Sequence, residues 1–120
     1  GEIVPETFAV TINAKNAPAV NEYIQSGMLV NLGNLVQDPF NRERDLKLVP
    51  LLLMRDEVSF LVPDKETVII EGDRILFCGT YNAKAALPAS INNNKTFNYI
   101  MSGKEAPDSI VWRWIKRATS

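Results

Sequence analysis

Between Leu46 and Gly79 the chain breaks into short apolar runs separated by turn signals, and this rhythm limits the fold more than any other feature. The run L-K-L-V-P-L-L-L-M-R, Leu46 to Arg55, is followed by Asp56-Glu57. Val58, Phe60 and Val62 then alternate up to Pro63-Asp64. Val68-Ile69-Ile70 leads into the turn Glu71-Gly72-Asp73, and Ile75 to Cys78 closes on Gly79. Runs of about four to eight residues bounded by such turns read as strands, and connections this short join antiparallel neighbours. Pro50 has no N–H to give a ladder, so it marks an edge or a bulge. Gly72 is expected at positive φ, with Asp73 bonded to nearby backbone N–H groups and the two flanking runs forming adjoining core strands. Cys78, set between Phe77 and Gly79, reads as a buried, inert packing thiol.

Upstream, Phe8, Val10 and Ile12 alternate as one face of a strand. Asn16 is a candidate N-cap, Pro18 sits near the first helical turn, and Val20, Tyr23 and Ile24 fall on one helical face before Gly27 stops the helix. Met28 to Val36 reads as a second strand, broken by Asn31 and Asn34, with Gly33 marking a bulge or close backbone approach. Asp38 to Asp45, D-P-F-N-R-E-R-D, reads as an exposed, charged excursion. Downstream, Asn82 is expected to cap a short helix redirected at Pro88, Asn92 to Lys95 a loop, and Thr96 to Met101 fits helix or strand. Asp108 is expected to cap a terminal helix with Ile110, Val111, Trp114, Ile115 and Ala118 as its apolar stripe. Trp112 lies off that stripe, as a candidate contact residue.

The order predicts an α+β domain: a mainly antiparallel sheet of about four to six strands, with an early helix and C-terminal helices packed on it. The 120 residues read as one domain, with its core over residues 7–80 and a helical extension over 81–120. The opening G-E-I-V-P-E has no initiator Met, and the expectation is a piece of a longer chain. The longest apolar run, Leu48 to Met54, is far shorter than the roughly 20 residues that span a bilayer.

Chemistry is narrowed chiefly by what is missing. The chain has no histidine, which removes the commonest general base near neutral pH and most catalytic zinc sites. One cysteine allows no intrachain disulfide, and no G-x-G-x-x-G or G-K-[ST] loop is present. Asp38, Asn41, Glu43 and Asp45 offer oxygens within a short span but lack the calcium-loop spacing. Net charge is −1, without the basic surface that phosphate backbones need, so no nucleic-acid partner is expected. Arg113, Lys116 and Arg117 sit where cations favour a helix C-terminus. The residues themselves point to a non-catalytic module that binds something or pairs with itself.

Leu51 to Gly79, L-L-L-M-R-D-E-V-S-F-L-V-P-D-K-E-T-V-I-I-E-G-D-R-I-L-F-C-G, also resembles the C-terminal lobe of RCK domains, the TrkA-C domain. The landmarks are Arg55 ending an apolar strand, Pro63 after the next strand, Gly72-Asp73, and a last strand closing on Gly79. The likeness covers roughly residues 7 to 80. It departs from the pattern in the material between the first helix and the Arg55 strand, and in the W-R-W-I-K-R extension. The resemblance implies a cytosolic regulatory domain of a bacterial potassium channel or Trk-type uptake protein, at the inner face of the membrane. It implies a homodimer joined to a nucleotide-binding lobe and a membrane pore elsewhere in the parent chain. It also implies a small effector, a cyclic dinucleotide or a cation, with Arg55 and Pro63 as the candidate ligand-binding residues. For Arg55 a surface ion pair with Asp56 or Glu57 is the plainer expectation. The competing function is an interaction domain that docks a partner through Trp112 and its helix.

Overall fold

The structure is a computed structural model that describes residues 5–41 and 43–103. Four strands, β1 (Glu6–Thr11), β2 (Leu48–Arg55), β3 (Val58–Leu61) and β4 (Arg74–Gly79), form one sheet in the order β1-β4-β2-β3. All neighbours are antiparallel, as the short connections require. Helices α1 (Pro18–Gln25), α2 (Leu32–Val36), α3 (Tyr81–Ile91) and α4 (Asn94–Gly103) complete an α+β fold. Among the described residues, no helix is long and apolar enough to cross a membrane.

Alternation sorts the strands. Val10, Ile12, Leu53, Ile75 and Phe77 turn to one face and join Val20, Leu35, Leu87, Phe97 and Ile100 in a single core. Phe8 stacks on Phe77 at 5.7 Å between ring centroids. Between Pro50 and Leu52 the β2–β4 register slips, so of the edge or bulge expected at Pro50 it is the bulge that forms. At the other end of β4 there is no room for a side chain. A Cβ on Gly79 would stand 2.4 Å from Leu48 Cδ2 and 2.6 Å from the Lys47 carbonyl oxygen.

Several local expectations are corrected. Met28 to Val36 is not a strand; its second half is α2. The two asparagines that seemed only to interrupt an apolar run form a reciprocal cap. Asn31 Oδ1 accepts from the Asn34 N–H at 3.0 Å, and Asn34 Oδ1 accepts from the Asn31 N–H at 2.9 Å. Two orphan donors are satisfied at once, which favours helix over strand. Gly33 does mark a close approach, to Lys65. Val68 to Ile70 does not become a core strand. It makes one bridge, Val68 to Asn31, with the Ile69 N–H donating to the Val30 carbonyl, so it pairs with the α1–α2 connection instead of the sheet.

Caps shift as well. Thr80, not Asn82, caps α3 by accepting from the Ala83 N–H at 3.1 Å, and the helix continues through Pro88. Ala17 stands at the N-cap of α1, while the Asn13 side chain holds the Lys15 and Asn16 N–H groups. Gly27, at φ +90°, stops α1 as expected. Asn93 Oδ1 accepts from the Thr96 N–H, so part of the expected loop Asn92 to Lys95 opens α4. The expected terminal helix, with Trp112, lies outside the described residues.

Candidate functional site

The residues singled out around Arg55 come together, but as structure. Asp73 is completely buried, and its carboxylate takes the Arg55 guanidinium in a fork: Nε donates to Oδ1 at 2.9 Å and Nη2 to Oδ2 at 2.8 Å. Oδ2 also accepts from the Ile70 N–H at 2.8 Å, the backbone bond foreseen for Asp73. Arg55 Nη2 donates further to the Val68 carbonyl at 2.9 Å. The guanidinium lies 5.8 Å from the centroid of the Phe60 ring. The hydrogen bonds that Arg55 donates to Asp73 raise its pKa above the ordinary arginine value.

The expected surface pair of Arg55 with Asp56 or Glu57 is therefore corrected. The guanidinium turns back over the core side of β2, because the buried carboxylate of Asp73 offers two oxygens in fork geometry. Gly72 holds the turn beneath it at φ +94°. Its N–H donates to the Ile12 carbonyl at 2.7 Å, and the Ile12 N–H donates to the Asp73 carbonyl at 2.8 Å. Pro63 is buried just after β3. Arg55 is thus a tie between β2, the turn that leads into β4 and the 68–70 segment, with three of its five N–H donors engaged.

Cys78 is half-buried, not fully buried as expected. On β4 it alternates with Phe77, so it points to the opposite face of the sheet.

A second place was not legible from sequence. A groove of about 720 Å³ opens between the Asp38–Asp45 loop, the start of β1 and the first turn of α3, within the range of small-molecule sites. Phe40 and Tyr81 line it, 78% and 69% exposed, together with Glu6, Arg44, Lys47 and Thr80. The loop is better ordered than its charge implied. Asp38 is buried and accepts from the Phe40 N–H at 2.8 Å and from Arg44 Nε at 3.0 Å. These bonds, the Phe40 amide first, hold its carboxyl below the usual aspartate range despite burial. Gln37 and Asp45 bridge across the loop's neck, which closes it. Asp45 is paired with Lys65.

One groove residue has an unmet need: Glu6 Oε2 is buried and has no hydrogen-bond partner. Among the described residues no cluster of three or more His, Cys, Asp or Glu is arranged to hold a metal ion. In the Asp38 loop, Asp38 and Asp45 each hold a cationic side chain. What the groove offers is two aromatic surfaces, two cations and a carboxylate with spare accepting capacity. That set suits reversible binding of a flat, polar small molecule. The groove escapes sequence reading because its walls come from three segments that only the β1–β4 pairing and the loop closure bring together.

No protein-family model matches the chain, and no curated protein is significantly similar to it.

Proposed function

We propose that this chain is a non-catalytic, ligand-sensing and dimerising regulatory domain of a bacterial potassium channel or Trk-type uptake protein, of the RCK C-terminal kind. The observation that carries the reading is the Arg55–Asp73 fork. Two of the ordered landmarks, 18 residues apart in sequence, are joined by it over the positive-φ turn at Gly72. Pro63 is buried after β3, and Gly79 fits where β4 presses on Leu48. Each landmark thus has a physical task in the sheet.

The groove beside Tyr81 is the seat assigned to the effector, in place of Arg55 and Pro63. A ligand there regulates only by favouring one arrangement of the dimer over another, since equal affinity for both shifts nothing. The gating force would pass to the pore through the covalent link to the rest of the parent chain.

Thermal-shift and calorimetric titration with nucleotides, cyclic dinucleotides and divalent cations tests the sensing part. The expected result is a rise in Tm with one class of compound, lost in Tyr81→Ala and Lys47→Ala variants that keep the wild-type circular dichroism. No shift with any class overturns it. Sedimentation at tens of micromolar tests the dimer, which a monomer throughout would refute. The competing interaction-domain reading, through Trp112, is separated by the parent chain: membrane spans and a dinucleotide-binding unit upstream favour the transport reading.

A further inference from the structure

The sheet has two outer strands, β1 and β3, and their free edges differ. Ile12, just after β1, has both backbone groups on the β4 side: its N–H donates to the Asp73 carbonyl and its carbonyl accepts from the Gly72 N–H. That role alternates along an antiparallel ladder, so Val10, Phe8 and Glu6 also face β4. The N–H and C=O groups of Thr7, Ala9 and Thr11 therefore point away from the sheet, and among the described residues none takes them up. On β3 the Val62 N–H donates to the Leu51 carbonyl, so by the same alternation only Ser59 and Leu61 face outward.

Proteins ordinarily guard a sheet edge with charge, proline or a bulge. β3 is short and bracketed by Asp56 and Asp64. Two copies paired antiparallel about Phe60 would set these acids against each other, which disfavours that edge. Between Thr7 and Thr11, β1 has none of the guards. Its register on β4 runs unbroken, and it holds no charge and no proline. Thr7 and Ala9 are exposed. An edge left in this state is a template for another strand.

The strand is also its own complement. T-F-A-V-T carries Thr at both ends, a bulky apolar residue next to each, and Ala in the middle. A second copy laid antiparallel with Ala9 opposite Ala9 sets Thr7 against Thr11 and Phe8 against Val10, each pair occurring twice. The outward-facing residues all fall in hydrogen-bonded positions, which gives about six N–H···O bonds across the seam. Thr meets Thr on one face and an aromatic ring meets a β-branched residue on the other, both favourable cross-strand pairs. Glu6 faces Ile12 in this register, so no like charges meet. Pro5 has no N–H and ends the ladder.

We propose that two copies of this domain associate by pairing β1 with β1 about a two-fold axis at Ala9, so that their four-stranded sheets join into one continuous sheet. This rests on the dimer part of the function proposed above and names the surface that makes it. Glu6 lies on the same strand and lines the groove, so the seam and the seat of the ligand share β1.

Sedimentation of the full chain from low to tens of micromolar tests the seam, beginning with the wild type as a reversible dimer. Ala9→Pro removes one outward N–H from each copy and none from the β4 ladder. It should raise the dimer Kd about tenfold, the effect of two lost bonds, with wild-type circular dichroism. Ser59→Pro makes the same change on the β3 edge and should leave Kd unchanged. Should Ala9→Pro fail to fold, Ala9→Lys sets two cations opposite each other and weakens association several-fold, and mixing it with Ala9→Glu should restore the dimer. A dimer that withstands both Ala9→Pro and Ala9→Lys, or one that Ser59→Pro dissolves, would overturn the seam while leaving the dimer itself standing. A monomeric wild type would overturn both.

Discussion

Phe77 and Phe60 stand on the same side of one sheet, two strands apart, yet Phe77 is fully buried and Phe60 is 44% exposed. Both belong to short alternating runs, and both have the same intrinsic liking for a pleated, half-buried surface. The difference is what lies above them. Over β4 the helices and β1 close the core around Phe77, which stacks on Phe8. Among the described residues, every residue of β3 stays exposed, with the Arg55 guanidinium 5.8 Å from the Phe60 ring centroid. Hydrophobic alternation therefore writes a strand without saying whether anything will cover it.

The largest expected effect tests that contrast directly. Phe77→Ala should cost about 3–5 kcal/mol in chemical denaturation, since it removes a fully buried ring and leaves a cavity. Phe60→Ala should cost under about 1 kcal/mol, in keeping with its exposure. Equal losses would break the comparison and place Phe60 in the core.

Arg55→Ala comes next, at about 3 kcal/mol by equilibrium unfolding, the lower end for a stranded buried charge. Asp73 is wholly buried and would keep only the Ile70 N–H, whereas the Arg55 side chain is 30% exposed. The reverse change, Asp73→Asn, should therefore cost less, about 1–3 kcal/mol, because the freed guanidinium has access to water. If the order of the two variants is inverted, the tie does not hold the covered and uncovered parts together as described.

Gly79→Ala should lose about 2 kcal/mol, read from the denaturation midpoint, through overpacking against Leu48 and the Lys47 backbone. A neutral result would mean that β2 and β4 part more easily at that end than their contact implies.

The smallest effect belongs to the groove loop. A carboxyl whose folded pKa lies below its unfolded value adds stability above the unfolded value and loses it as pH falls through the folded one. Asp38 is lowered from its ordinary 3.8, chiefly by the Phe40 N–H and Arg44. Wild type should thus be more stable than Asp38→Asn near pH 6, with the gap closing as the pH drops below about 4. Thermal unfolding across that range checks it; a constant gap would mean the carboxylate charge contributes nothing.

Much of this was readable in the residues. The runs on either side of Asp56-Glu57, and the run Ile75 to Cys78, announced antiparallel strands, Pro50 announced an edge or a bulge, Gly27 a helix stop and Gly72 a positive φ. These features depend on a few neighbouring residues and on backbone sterics, so local sequence determines them. Reading failed at Met28 to Val36, where hydrophobicity argued for a strand and a two-asparagine cap decided for a helix. It failed again at Val68 to Ile70, whose partner is the chain near Val30 rather than the next strand.

The site was less legible than the fold. Arg55 and Asp73 could each be singled out, but their union depends on β2 and β4 lying side by side. Phe40, Lys47 and Tyr81 carry no motif and acquire meaning only around one groove. By itself, the sequence determined an α+β domain without a histidine-based active site, built on short antiparallel strands. The tertiary structure alone decided which apolar face is covered, where the buried carboxylate finds its cation, and where a ligand has room. Those outcomes rest on contacts between residues far apart in the chain, and coverage and charge pairing act through space, beyond the reach of local pattern.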